Sequence, residues 1–189
     1  MTWTDLSLVL IAALLLALER ACYLSVWREP ARFRQIIVDR IGPAAEPVGA
    51  LANLFVLFKV VQAAVFLGWC LYFGGGRLLP ADAPLPVLAA GTMLIVVGQV
   101  LNAAVFVRLG LTGVFYGNRF GHAVHWRYGF PFSWLRHPQY VGTVATIWGV
   151  FLALRFPNPD WIVLPLLETA YYVAGAFLED DATPPASLA

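Results

Sequence analysis

The chain has 189 residues, of which 60% are hydrophobic and 12% charged, far from the soluble balance of about half apolar and a quarter charged. A net charge of +1 gives no basis for a nucleic-acid partner. Apolar runs of roughly 17 to 25 residues are long enough to cross a bilayer as helices, and strand-like alternation is absent. The expected fold class is therefore all-α: one integral-membrane domain over 1–189, a polytopic transmembrane helical protein of about five spans.

The first predicted helix runs from about Leu6 to Trp27. Asp5 precedes its apolar run and no Lys or Arg does, so it lacks the basic start of a secretion signal and reads as a retained span. Glu19 and Arg20 interrupt it, and either pair with each other or face a protein interior. A basic connector follows, Arg28 to Arg40, whose Phe33, Ile36 and Ile37 at helical spacing predict an amphipathic interfacial piece. Gly42, Pro43 and Pro47 break it. The second span is expected over Val48 to Phe73 with Lys59 in its middle, and a Gly- and Pro-rich loop closes this N-terminal half, residues 1–84.

The third span, Pro86 to Leu109, carries Gly91, Gly98 and Asn102 on one face, because offsets of seven and eleven residues return to the same side of a helix. Small residues there permit close approach of a helix or a ligand. Residues 110–136 are too rich in Gly, Arg, His and aromatic side chains to cross lipid. Pro138 suits the first turn of a fourth span, ending near Phe156, and a fifth follows from Asp160 to Leu178, kinked or shifted by Pro165. The fourth and fifth form a C-terminal helical hairpin.

Arginines fall unevenly. Arg28, Arg32, Arg34 and Arg40 share one connector and Arg119, Arg127 and Arg136 another, whereas the remaining loops hold Arg77 and Arg155. The positive-inside rule then makes the first two loops cytoplasmic. His137 and Tyr140 at the start of the fourth span and Glu179 at the end of the fifth emerge on that same side.

Cys22 and Cys70 sit in apolar segments without metal-ligand spacing, and read as packing residues rather than a disulfide or zinc site; no metal is expected. Glu168, Tyr172, Gly175 and Glu179 form a stripe along the last helix. A carboxyl group within a span is costly against lipid, so Glu168 is expected to face the interior, either touching a substrate headgroup or pairing with Lys59 or Arg20. His122 and His125 flank a basic aromatic loop and are expected at the headgroup interface or against a ligand. Trp126, Tyr128, Phe130, Phe132 and Trp134 read as an interfacial aromatic belt.

Four segments carry chemistry together: Gly113-Val114-Phe115-Tyr116-Gly117-Asn118-Arg119-Phe120-Gly121, Gly129-Phe130-Pro131-Phe132, Arg136-His137-Pro138-Gln139-Tyr140-Val141-Gly142, and the terminal Glu179-Asp180. In that order they resemble the integral-membrane methyltransferases that use S-adenosylmethionine, above all the phospholipid (phosphatidylethanolamine) N-methyltransferases. The resemblance covers residues 85–181, which makes this half a methyltransferase-like catalytic core. It implies cofactor contacts from Arg136, His137, Tyr140, Gly142 and Glu179 and a lipid-borne acceptor, and the arginine distribution makes the site face the cytoplasm. Where the acceptor is an amine, a proton must leave, and His137, Glu168 and Glu179 are the candidate acceptors.

The chain departs from the animal phospholipid enzymes in having Ala89-Ala90-Gly91 where they often carry Gly-x-Gly, and His-Pro-Gln-Tyr where they often carry Asn-Pro-Met-Tyr. The second departure keeps the related isoprenylcysteine carboxyl methyltransferases as an alternative. A membrane reductase using NADPH and a non-catalytic membrane module are further alternatives.

Overall fold

The computed structural model describes residues 3–80, 84–124 and 129–180, so the expectations placed on His125, Trp126, Arg127 and Tyr128 lie outside the described residues. Among the described residues six α-helices follow in order: α1 (Trp3–Arg28), α2 (Pro30–Ile41), α3 (Pro47–Phe73), α4 (Leu85–Val114), α5 (Pro138–Leu154) and α6 (Val163–Asp180). Short 3-10 turns, Gly117–Phe120 and Pro159–Ile162, precede the long loop and α6. Prolines at the first turns of α2, α3, α4 and α5 set φ for the helix where no backbone donor is needed. Gly42, at φ 126°, ends α2 in a conformation that a side chain disfavours.

Two boundaries differ from expectation for local reasons. α4 continues past Leu109 to Val114 across a kink at Gly110 (φ 64°, ψ 179°), a break that glycine tolerates and other residues resist. Pro165 falls in the first turn of α6, where its missing N–H has no helical partner to lose; it shifts the helix start rather than bending the helix.

α1, α3, α4 with its following turn, and α6 with its preceding turn are long and apolar enough to cross a membrane. α5 is a shorter apolar helix of 17 residues, about 25 Å, against a hydrocarbon core of about 30 Å. The thirty residues of α4 extend about 45 Å and must protrude. α5 forms the expected hairpin with α6, but its most extensive partner is α4, reached across the long loop. Gly91 faces Gly149, and Gly98 faces Gly142: a Cβ on Gly98 would fall 2.3 Å from the Gly142 oxygen. Only glycine allows the two backbones to come this close.

This antiparallel register sets the depth of everything else. Asn102 lies beside Gly142, near the start of α5, so the last three turns of α4 project beyond it. Two hydrophobic clusters stack accordingly. Leu16, Trp69, Ile147, Phe151 and Leu164 fill the layer flanked by α5; Tyr23, Val26, Leu51, Val105 and Phe115 fill a cap formed by the protruding ends of α1, α3 and α4. At the opposite end Arg155, which is buried, pairs with Asp160 at 2.7 Å and donates to the Phe73 carbonyl. Of Arg77 and Arg155, the two arginines in the remaining loops, Arg155 is therefore spent on an internal clasp.

Candidate active site

Glu179 ends the apolar run of α6 and accepts hydrogen bonds from two tyrosines. Tyr140, in the first turn of α5, donates to Oε2 at 2.6 Å, and Tyr116, beyond α4, donates to Oε1 at 3.0 Å. Three segments far apart in sequence thus meet on one carboxylate. Bonds to a charged acceptor are among the stronger ones, about 1.5–3 kcal/mol each. A carboxylate has roughly four lone-pair sites, and two phenols leave capacity for a ligand donor.

Tyr116 holds this position at φ 56°, the left-handed region that a bulky side chain avoids. Its ring is fixed edge-on against Tyr23 and Trp27, and Arg119 lies over the Trp27 ring at 3.8 Å. Such strain persists only where surrounding packing dictates it, and it is concentrated at functional sites.

Arg20 is the second centre. Its guanidinium lies over Tyr172 at 4.3 Å, Tyr23 at 5.1 Å and Tyr140 at 5.5 Å, and it pairs with Glu19 at 2.8 Å. Both sequence alternatives for Glu19 and Arg20 therefore hold at once. Glu19 also pairs with Lys59 at 3.1 Å, Lys59 donates to Gln62 at 2.9 Å, and Gln62 donates to Glu168 at 2.6 Å. Glu168 faces the interior as expected, yet its link to Lys59 runs through Gln62. This polar belt separates the two apolar layers; Glu19 pairs with both cations and Glu168 accepts from Gln62, which offsets much of the cost of burying them.

The predicted residues divide. Tyr140 and Glu179 are in direct contact, and the His137 ring stacks on Tyr140 at 5.6 Å with 17° between planes. Gly175 in the α6 stripe lies beside Tyr140 and Arg20, and a Cβ there would meet them at ordinary contact distance, 3.9 and 4.0 Å. Arg136 is exposed at the mouth. Gly142 packs on the α4 backbone, where an added Cβ would lie 2.7 Å from the Gly98 oxygen. Glu168 lies eleven residues below Glu179, about 16 Å along the helix, and does not share its immediate surroundings. His122 sits 2.9 Å from Glu46 and ties the cap loop to the start of α3. Among the described residues, no three His, Cys, Asp or Glu side chains gather as metal ligands.

Sequence reasoning did not foresee Tyr116 as a partner of Glu179, or Gln62 as the joint of the belt. Tyr116 lay inside a recognised segment, but its left-handed backbone carries no sequence signal. Gln62 in an apolar helix was the available clue, since an amide at bilayer depth needs partners.

Beside this site a cavity of about 500 Å³ opens between α3, α4 and α5. Its polar wall is Lys59, Gln62, Gln99, Asn102, Gln139 and Thr143. α3 and α4 make few contacts with each other, which leaves the gap.

The phospholipid methyltransferase family model matches residues 86–184. Among curated relatives, phosphatidyl-N-methylethanolamine N-methyltransferase of Arabidopsis thaliana is 37% identical over 91 residues, 48% of this chain and 52% of that protein. Phosphatidylethanolamine N-methyltransferase of Rattus norvegicus is 35% identical over 94 residues, 49% of this chain and 46% of that protein. The matched stretch thus spans about half the length of these relatives. No solved structure matches the chain.

Proposed function

The chain belongs to the phospholipid methyltransferase family, and on that premise we propose that it is an integral-membrane enzyme that moves a methyl group from S-adenosylmethionine to the amine headgroup of a phospholipid. The observation that carries the reading is the Glu179 carboxylate held by Tyr140 and Tyr116 at the end of the bundle that bears the basic, amphipathic α2. The donor set fits the cofactor. A carboxylate with free lone pairs suits ammonium or ribose hydroxyl donors, and the exposed Arg136 suits a carboxylate. Tyrosine faces near a cation, as at Arg20, also suit a sulfonium.

When bound, S-adenosylmethionine supplies an electrophilic methyl group that an amine nitrogen takes as the carbon–sulfur bond breaks. The protein's part is placement, which by itself is worth a large share of such a barrier. Tyr140 and Tyr116 fix the Glu179 carboxylate. His137, stacked on Tyr140, and Glu179 are the groups placed to take the ammonium proton that must leave before the nitrogen attacks. Glu168, held by Gln62, acts through the belt that orients Arg20. By the arginine distribution this face is cytoplasmic, where the cofactor is dissolved.

Purified protein in nanodiscs should bind S-adenosylmethionine and S-adenosylhomocysteine by calorimetry, and should add methyl groups to phosphatidylethanolamine as base-stable methylated headgroups. Saturable NADPH binding with no S-adenosylmethionine binding would sink this reading. Base-labile methyl esters as the product would move it to a carboxylate acceptor.

A further inference from the structure

We propose that the cavity between α3, α4 and α5 is the seat of the phospholipid acceptor, entered sideways from one leaflet through the gap between α3 and α4. The proposal rests on the methyltransferase reading for the identity of its occupant. Its geometry stands by itself.

The cavity begins at Gln139 in the first turn of α5, next to Tyr140, and descends to Val150. The eleven helical steps between them cover about 16 Å, close to half of a hydrocarbon core of about 30 Å. The cleft is therefore as deep as one leaflet. Its volume of about 500 Å³ falls within the range of small-molecule sites, roughly 300–1,000 Å³.

The lining is banded along that depth. Phe55 and Phe106 line the cap end, a polar band with Lys59, Asn102, Gln139 and Thr143 follows, Gln99 and Thr146 bond each other at 3.0 Å below it, and Phe66, Ile147 and Val150 line the bottom. The polar band suits a glycerophospholipid laid along the cleft: phosphate against the Lys59 ammonium, ester oxygens against amide N–H groups, acyl chains against Phe66, Ile147 and Val150. Gln99 is exposed and Lys59 keeps 32% of its side-chain exposure. Polar groups facing hydrocarbon are costly, and a lipid headgroup drawn into the cleft relieves that cost where acyl chains cannot. Lys59 also touches the belt through Glu19, which pairs with the Arg20 that lies over Tyr140. A headgroup at Lys59 is thus linked to the candidate site through Glu19 and Arg20.

The test uses nanodiscs and a phosphatidylethanolamine analogue with a diazirine on one acyl chain. Photolabels should concentrate on Phe66, Ile147 and Val150, and unlabelled phosphatidylethanolamine should remove them while diacylglycerol, which has no headgroup, should not. Ala103→Trp, which fills the cleft wall, should abolish this labelling and raise the KM for lipid about tenfold or more, a change of 1.4 kcal/mol, with S-adenosylmethionine affinity unchanged. Leu71→Trp on α3, where Leu71 is exposed, should do neither. Val150→Trp serves if Ala103→Trp does not fold. Labelling spread evenly over lipid-facing Val96 and Val173 and not competed would overturn the proposal. Because labelling needs no turnover, a labelled cleft without methyl transfer would reject the methyltransferase reading alone, and turnover with even labelling would reject the lipid seat alone.

Discussion

At the scale of single residues, Glu179 depends on two phenols that arrive from different parts of the chain. Tyr140→Phe and Tyr116→Phe each remove one hydrogen bond to a charged acceptor, about 1.5–3 kcal/mol, and each should weaken S-adenosylmethionine binding by roughly 10- to 150-fold in calorimetry. The two changes should be less than additive, because both act through the same carboxylate. Wild-type affinity in both variants would separate Glu179 from cofactor binding. Glu168 behaves differently, since Gln62 donates to it within a buried belt. Glu168→Gln retains an acceptor for that bond and should keep activity within about threefold, whereas Glu168→Leu leaves the Gln62 amide unsatisfied, at about 1–3 kcal/mol, and should lower the unfolding midpoint.

Between elements, the closest approach is that of α4 to α5, and it rests on glycines whose partners are backbone atoms. Gly98→Ala would put a Cβ 2.3 Å from both the Gly142 oxygen and Thr146 Oγ1, so the helices must separate. Overpacking of this kind costs about 1–3 kcal/mol. Gly68 in α3 has nothing within 4 Å of an added Cβ, and Gly68→Ala should be neutral or stabilise by up to about 1 kcal/mol from helix propensity. Unfolding of both variants in bicelles checks the contrast; equal stabilities would show that the α4–α5 contact is loose. Because Tyr140 and the cleft both ride on α5, Gly98→Ala should also disturb activity.

For the molecule as a whole, the protruding ends of α1, α3 and α4 build a cap on one side of the membrane layer, and Glu179 and its tyrosines sit at their junction. The cap carries Arg28, Arg32, Arg34 and Arg40. Cysteines introduced at Arg32 and Ser133 should therefore react with impermeant reagents from the cytoplasmic side, and those at Gly75 and Asn158 from the opposite side. Reaction of Arg32 and Ser133 from different sides would separate α2 from the loop before α5 and dismantle the site.

Hydrophobic periodicity and length were enough to read the all-α membrane architecture, because a bilayer admits helices whose boundaries follow from apolar runs, prolines and glycines. That Tyr140 and Glu179 emerge on one face was legible for a related reason: an even number of intervening crossings returns two helix ends to one side, while the bond between them was not foreseen. Other features depend on contacts between distant segments and leave no periodic trace. Pairing of α5 with α4 across the long loop is set by the match of Gly91 with Gly149 and Gly98 with Gly142, which is a property of two surfaces together. Tyr116 reaches Glu179 through a strained backbone that the cap packing imposes. The cleft exists because α3 and α4 stand apart, and a gap between helices is written in no single segment of the chain.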